Sequence, residues 1–305
     1  MRKAAIDIGT NSIKLCIAEG APGGSFTVIK DVVNVTKLGQ GLKSTGIIND
    51  EALERNARAA AAYVDEAHSA GADVKIVGTM ALRNAKNADA FIARVRELSG
   101  ESVSVISGEK EAELLCRAVI AGVPGADKKD IVLFDAGGGS TEFAHISAGT
   151  VKRSFSLNIG CIRISEDYFC EPFVVPEKLA AARAQVRKEL QAGPSLPVPE
   201  VLIGSGGNIT ALASVKHKMT VYDRSVIHCS LLTLDDVRSL ITEFASKSTE
   251  ERRKTVGLDP KRADVILGGA CIVEAAMELY GAPVLTVSDS GLRYGVLEEM
   301  FSEDA

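Results

Sequence analysis

Ile131-Val132-Leu133-Phe134-Asp135-Ala136-Gly137-Gly138-Gly139-Ser140-Thr141-Glu142-Phe143 is the most informative run of the chain. Four successive apolar residues read as a buried strand, and three successive glycines soon after an aspartate force an abrupt turn. Residues without Cβ atoms let a polyanion come up against the main chain, where backbone N–H groups can point at its oxygens. Ser140 and Thr141 add hydroxyl donors, and Asp135 and Glu142 are hard oxygen ligands of the kind Mg²⁺ takes. A glycine-rich hairpin that merely reverses the chain has no need of a carboxylate at each end, so the phosphate-binding reading is preferred.

A shorter version stands at the N-terminus. Ala4-Ala5-Ile6-Asp7-Ile8-Gly9-Thr10-Asn11-Ser12 is again an apolar strand, an aspartate, a glycine and hydroxyl residues, followed by the apolar-rich Ile13-Lys14-Leu15-Cys16-Ile17. Asp7 and Asp135 lie 128 residues apart, which reads as duplication on the scale of a domain. Two phosphate hairpins facing each other across a cleft are the signature of the actin-like ATPase fold, and this sequence resembles that superfamily. The resemblance implies an α/β chain of duplicated domains with an interdomain cleft.

Composition narrows the class. A chain of 305 residues can bury two ordinary cores, and 46% hydrophobic with 25% charged residues is ordinary for a soluble globular protein. The formal net charge of −5 argues against a general nucleic-acid binder, which presents a basic face. An anionic substrate must then be held by local donors and a metal. The six cysteines (Cys16, Cys116, Cys161, Cys170, Cys229, Cys271) form no C-x-x-C pair and read as buried reduced thiols. Met1-Arg2-Lys3 leads straight into a strand without an apolar leader, and the apolar stretch from Val265 to Leu285 is broken by Glu274 and Glu278. A cytoplasmic protein without a membrane partner is expected.

Along the chain, Phe26–Val35 reads as a strand and Leu38-Gly39-Gln40-Gly41-Leu42 as a candidate flap over the cleft. Asn49 caps a helix that Gly71 stops. Val74–Val77 is a strand, Phe91, Ile92, Val95 and Leu98 mark a helix ended by Gly100, and Val103–Ile106 is a strand before a helix capped by Ser107. A boundary is placed in the polar connection Pro124–Asp130. Ala144–Leu157 reads as a strand pair around Gly149, a helix follows Gly160, and Pro172 ends that region. Helices are expected over Glu177–Gln191, Thr233–Lys247, Pro260–Tyr280 and Gly291–Met300, and strands over Val201–Ile203 and Pro283–Val287. The expected domains are 1–122 with 289–305, and 123–288, because the closing helix of an actin-like chain returns to the first domain.

In Ser107-Gly108-Glu109-Lys110-Glu111-Ala112-Glu113, acidic residues in the first turn often serve only the helix macrodipole, and Glu109 is read that way. Glu111 stands just before the domain crossover, where a carboxylate can accept a proton from, or orient, an attacking water. Spacing alone leaves both roles open for it.

The motifs are more specific together. Asp-Ile-Gly-Thr-Asn-Ser at 7–12, Gly-Thr-x-Ala-x-Arg at 78–83, Ile-Ser-Gly-Glu-x-Glu-Ala at 106–112 and Asp-Ala-Gly-Gly-Gly-Ser-Thr-Glu at 135–142 resemble the exopolyphosphatase / guanosine pentaphosphate phosphohydrolase family. Asn158–Arg163, Gly204–Gly207 and Ser290–Gly295 match too, in the family's order. The resemblance implies that Glu111 activates the lytic water and that Asp135 and Glu142 hold Mg²⁺ or another divalent cation or help position that water. It implies that Gly137, Gly138, Gly139, Ser140 and Thr141 form one phosphate cradle, with Asp7, Gly9, Thr10, Asn11 and Ser12 facing it. Arg83 is expected to bind phosphate oxygens bidentately, and Gly206 and Gly207 to line the channel for the rest of the substrate. The implied reaction is in-line attack of water on a terminal phosphoanhydride of inorganic polyphosphate, with pppGpp as the alternative substrate.

Two departures are visible. The family commonly reads Glu-Glu-Ala-Arg where this chain has Lys110-Glu111-Ala112-Glu113, a charge swap expected to bear on substrate affinity. The chain also lacks the helical C-terminal extension of longer members, which implies a preference for short polymers. Lys216-His217-Lys218 reads equally as a secondary site for a polyphosphate tail or as a solvated helix end; Arg153 and Arg163 read equally as phosphate or surface contacts. An ATP-dependent phosphotransferase and a nucleotide-binding regulator are the readings from other classes. A homodimer is expected on general grounds.

Overall fold

The computed structural model of the chain describes residues 1–171 and 173–303. Pro172, and the last two positions of the expected first domain, lie outside the described residues. The chain divides into two compact units, one of Met1–Ala118 with the segment from Gly291 on, the other of Val119–Ser290.

In the first unit, β1 (Arg2–Ile8), β2 (Ser12–Gly20), β3 (Phe26–Val35), β4 (Ala72–Gly78) and β5 (Val103–Val105) form a five-stranded sheet in the order β3-β2-β1-β4-β5. β1 and β3 run antiparallel to β2, while β1, β4 and β5 are parallel. Central β1 is apolar on both faces because helices cover both. On one side lie α1 (Leu42–Thr45), α2 (Asp50–Ser69), α3 (Met80–Asn84) and α4 (Ala88–Ser99), whose Ala57, Ala60, Val64, Phe91 and Val95 share a core with Ile6, Ile8 and Leu15. α2 begins where Asn49 Oδ1 accepts the Ala52 N–H at 2.8 Å, as its cap residue predicts. The other core joins Ala5, Cys16 and Val77 to Leu114 and Ala118 of α5 (Gly108–Gly122) and to Val296, Leu297 and Phe301 of the closing helix Leu292–Glu303. The expected flap is not a flap. The N–H groups of Thr36 and Lys37 bond Asn11 O, Gly39 N–H bonds Thr10 O at 2.9 Å, and Leu38 is buried, so the segment is fastened to the first turn.

The second unit repeats this plan. β6 (Ile131–Ala136), β7 (Thr141–Ser147), β8 (Thr150–Leu157), β9 (Val201–Ser205), β10 (Leu231–Thr233) and β11 (Val284–Ser288) are ordered β10-β11-β9-β6-β7-β8. From β8 to β11 the order and strand senses match those from β3 to β5, and β10 is an added antiparallel edge. Phe134, Phe143 and Phe155 stack at 5.8 and 5.4 Å between centroids in its core. Its helices are α6 (Cys161–Tyr168), α7 (Pro176–Ala192), α8 (Gly207–Lys216), α9 (Arg224–Ile227), α10 (Leu234–Ala245), α11 (Thr249–Arg252) and α12 (Ile266–Leu279); the closing helix is α13. The architecture, built twice, is the actin-like α/β fold.

Three details differ from expectation. β7 begins at Thr141 rather than Ala144, so Thr141 and Glu142 already belong to the ladder. α12 begins at Ile266, after a short 3₁₀ turn at Pro260–Arg262. α8 was not foreseen at all, because Ile209, Ala211, Leu212, Ala213 and Val215 bury it all round and leave no polar face to set a period. Among the described residues, no helix is long and apolar enough to cross a membrane.

Candidate active site

In the first unit, Ile8, Gly78 and Val105 stand level at the carboxyl ends of β1, β4 and β5. Open α/β sheets bind ligands at this edge. Three pieces leave from it: the turn Gly9–Ser12, α3 with Arg83, and α5 with Glu111. Gly9 N–H bonds Ser12 O at 3.0 Å and closes the turn. Thr10, Asn11 and Ser12 are almost buried, and both polar side-chain atoms of Asn11 are buried without a partner among the described residues. Asp7 lies directly opposite Lys14, whose Nζ is 2.7 Å from Asp7 Oδ2. Lys14 thus joins the first turn although none of the motifs names it. Its signal was present: it follows Asp7 by the interval at which Glu142 follows Asp135.

Ser107 starts α5, its Oγ accepting the Lys110 N–H at 3.1 Å. Glu109 stays outside, where its own N–H and the Ser107 hydroxyl hold its carboxyl below the ordinary range. Glu111 turns inward with its side chain 13% exposed, and Arg83 Nη1 reaches its Oε2 at 2.7 Å and the Ile106 carbonyl at 2.9 Å. Arg83, expected as a phosphate ligand, has the catalytic candidate as its partner in this structure. The swapped charges point elsewhere. Lys110 Nζ lies 2.6 Å from Glu299 of α13 and 3.3 Å from Glu113, which also pairs with Arg117. Lys110 thereby joins α5 to α13, while the pairs of Glu113 lie within α5.

In the second unit, Asp135, Ser205 and Ser288 stand level at the ends of β6, β9 and β11. Gly137 N–H bonds Ser140 O at 3.0 Å, the same closure as in the first turn. From behind, the Cys161 and Ile162 N–H groups of α6 bond Gly137 O and Gly138 O. Thr141 is fully buried and donates its hydroxyl to Ile159 O at 2.6 Å, so it fixes the turn instead of offering a hydroxyl to phosphate. Ser140 is buried at the turn's end.

Asp135 lies directly opposite Glu142, and Glu142 Oε1 accepts the Ser156 hydroxyl at 2.8 Å. Like charges facing across a ladder repel. Among the described residues no group of three or more His, Cys, Asp or Glu side chains cages a metal. Two carboxylates fit Mg²⁺, which takes one or two from the protein and completes its shell with water and phosphate oxygens.

Gly206 and Gly207 serve their neighbours' side chains. At Gly206 φ is +93° and a Cβ would fall 2.0 Å from Asp135 Oδ1, so only a glycine lets that carboxylate keep its place. A Cβ on Gly207 would fall 2.5 Å from Arg262 Nη2. Arg262 is 8% exposed, burial pushes its pKa down, and no hydrogen bond or ion pair reaches its guanidinium among the described residues. It stands beside the N-terminal glycine of α8, where the macrodipole also favours an anion. In the sequence Pro260-Lys261-Arg262 reads as the first turn of the helix expected over Pro260–Tyr280, and an arginine in that place carries no signal of burial. Asn208 donates its amide to Ala136 O and ties α8 to the turn.

Lys216, Arg163 and Arg153 have partners within the protein. Lys216 Nζ bonds Asp236 at 2.7 Å and Leu231 O at 2.8 Å, which removes it from the expected secondary site. Arg163 pairs with Glu189 and Arg153 with Ser195 O. Among the described residues no cysteine forms a disulfide. Burial raises Cys116 and Cys271 to about 12 and Cys161 to about 11, whereas Cys170 is exposed, contrary to expectation.

The Ppx/GppA phosphatase family model matches residues 16–303. The chain is 33% identical over 310 residues to a bifunctional 3-dehydroquinate synthase/phosphatase of Fusobacterium nucleatum, covering 97% of this chain and 46% of that protein. It thus spans about half the length of that relative. It is also 33% identical over 311 residues to exopolyphosphatase 2 of Mycobacterium tuberculosis, covering 97% of each. The crystal structure of the Aquifex aeolicus Ppx/GppA family member matches with a TM-score of 0.82 at 32% identity, over 98% of this chain and 97% of that one.

Proposed function

The chain belongs to the Ppx/GppA phosphatase family, and on that footing we propose that it is an exopolyphosphatase, hydrolysing the terminal phosphoanhydride of inorganic polyphosphate to release orthophosphate. The observation that carries the reading is the Arg83–Glu111 pair at the head of α5, beside the strand ends that hold the Asp7 turn. A carboxylate held in place by a guanidinium is fixed in position, as a base that has to orient a water must be.

Glu111 orients the attacking water and takes its proton as the new O–P bond forms in line with the breaking anhydride bond. The shortened chain leaves with the bridging oxygen. In the first unit the main-chain N–H groups of the turn, the hydroxyls of Thr10 and Ser12 and the ammonium of Lys14 are suited to meet phosphate charge, and in the second unit the N–H groups of its turn, the Ser140 hydroxyl and Arg262 are. Asp135 and Glu142 would hold Mg²⁺, which when bound neutralises phosphate charge. No nucleophilic serine or cysteine is required, in keeping with the high pKa of the buried thiols. The two units correspond in this reading to the two actin-like domains of one enzyme acting on soluble anions.

One observation favours pppGpp as a second substrate. A relative 28% identical over 98% of this chain is named for guanosine-5'-triphosphate,3'-diphosphate, and pppGpp ends in the same phosphoanhydride. The test is orthophosphate release from short polyphosphate, long polyphosphate, pppGpp and ATP with Mg²⁺. Release from polyphosphate in the wild type, lost in Glu111→Ala, is expected. Release from pppGpp alone selects the second substrate, and turnover of ATP only with an acceptor overturns the hydrolase reading.

A further inference from the structure

The two Asp–Gly turns are copies in backbone and opposites in charge. Each aspartate sits at the same register, Asp7 opposite Lys14 on β1–β2 and Asp135 opposite Glu142 on β6–β7. Each turn closes with the same bond at 3.0 Å, from Gly9 to Ser12 and from Gly137 to Ser140. Each aspartate ends a central strand whose parallel neighbour, β4 or β9, continues into a glycine at the same interval, Gly78 or Gly206. The backbone thus presents an aspartate and its facing side chain twice in the same way, and the facing residue has opposite charge in the two copies.

In the first unit that residue supplies the cation. Lys14 Nζ is 2.7 Å from Asp7 Oδ2, with the Asp7 side chain 3% and the Lys14 side chain 17% exposed. The ammonium neutralises the carboxylate within a poorly hydrated setting, and a divalent ion arriving there meets a fixed positive charge at contact distance. In the second unit the facing residue adds a second carboxylate instead, and the repulsion between the two is relieved by binding a cation.

We infer that Lys14 is a built-in counter-cation that replaces a metal ion at the first turn, so that the protein takes a single divalent cation, at Asp135 and Glu142, and not a symmetric pair. This rests on the reading of Asp135 and Glu142 as the metal ligands. Duplication supplied two equivalent places for an ion, and one charge reversal divided their roles. The fixed ammonium needs no loading and remains at all metal concentrations, while the second turn's charge follows the supply of metal.

Titration of the full chain with Mn²⁺, counted by the EPR signal of the free ion, tests this without reference to turnover. The wild type is expected to bind a single ion. Glu142→Lys, which gives the second turn the charge pattern of the first, is expected to bind none. Lys14→Glu, the converse change, is expected to bind a second ion and to gain more in Tm on Mn²⁺ addition than the wild type does. Two ions in the wild type, or an unchanged count in a folded Lys14→Glu chain, overturn the role of Lys14 while leaving the metal reading of Asp135 and Glu142 in place. No ion in the wild type, or one retained in Glu142→Lys, overturns that metal reading itself. Should Lys14→Glu not fold, the count in the wild type still decides, since a second ion there is incompatible with the inference.

Discussion

Arg83 admits two roles that a double-mutant cycle separates. Its Nη1 is shared between Glu111 Oε2 at 2.7 Å and Ile106 O at 2.9 Å, so it is placed to hold the base, whereas the sequence motif implied a phosphate ligand. Removing a general base costs roughly 10²- to 10⁴-fold, or about 3–5 kcal/mol of transition-state stabilisation. Glu111→Gln keeps an oxygen for Arg83 and loses the proton acceptor, so kcat is expected to fall by that factor with KM little changed. A charge-assisted hydrogen bond between partly buried groups contributes about 1.5–3 kcal/mol. Arg83→Ala in the wild-type background is therefore expected to lose about 10- to 100-fold in kcat through misplacement of Glu111. In the Glu111→Gln background no base remains to be placed, and the same change is expected to cost less than about threefold. The measurement is kcat and KM for orthophosphate release from short polyphosphate in all four proteins. Additive effects would refute the reasoning, because they place Arg83 on the substrate; unchanged turnover in Glu111→Gln removes the carboxylate from the chemistry altogether.

Three further perturbations follow from the geometry. Gly206→Ala drives a methyl into Asp135 Oδ1 at a φ of +93°, so a loss of about 1–3 kcal/mol in stability and at least ~10-fold in turnover is expected, read by melting curves and phosphate release. Arg262→Met removes a buried charge that Asp259 offsets only through its field, with no ion pair at contact distance among the described residues. Stability is expected to rise by about 1 kcal/mol while KM rises roughly 10- to 100-fold, and a lower Tm with unchanged KM refutes the assignment. At Glu299, burial works to raise the carboxyl pKa, but hydrogen bonds from Lys110 and Lys75 outweigh it and hold the group below its ordinary 4.5. A depressed carboxyl stabilises the fold above that pH and loses its contribution as pH falls through the folded value. Glu299→Gln is accordingly expected to lower Tm by on the order of 2–4 °C at neutral pH, with the difference from wild type vanishing in acid.

Features set by neighbours in sequence could be read directly, and those set by register or packing could not. The bounds of β3, the Asn49 cap of α2 and the stop at Gly71 depend on residues within a turn of each other, and the structure holds them where the pattern put them. The two Asp–Gly turns are likewise local, which made half of the candidate site visible. Lys14 becomes a partner of Asp7 only when β1 and β2 pair at one register, and that register is set by which faces are buried. Arg262 meets Gly207 across 55 positions of chain, after a helix whose uniform burial erased its own period. Thr141 shows the complementary failure: its residue type suggested a hydroxyl for phosphate, and only the path of the chain through Ile159 shows where that hydroxyl goes. A duplicated chain offers a remedy that needs no structure. Once Asp7 and Asp135 are taken as equivalent, every residue of the first hairpin has a counterpart at a fixed interval, and places where counterparts differ in charge mark where the halves have taken different work. Lys14 against Glu142 is the sharpest such difference in these two turns. That comparison would have brought Lys14 forward, and it is the same contrast on which the single-cation inference stands.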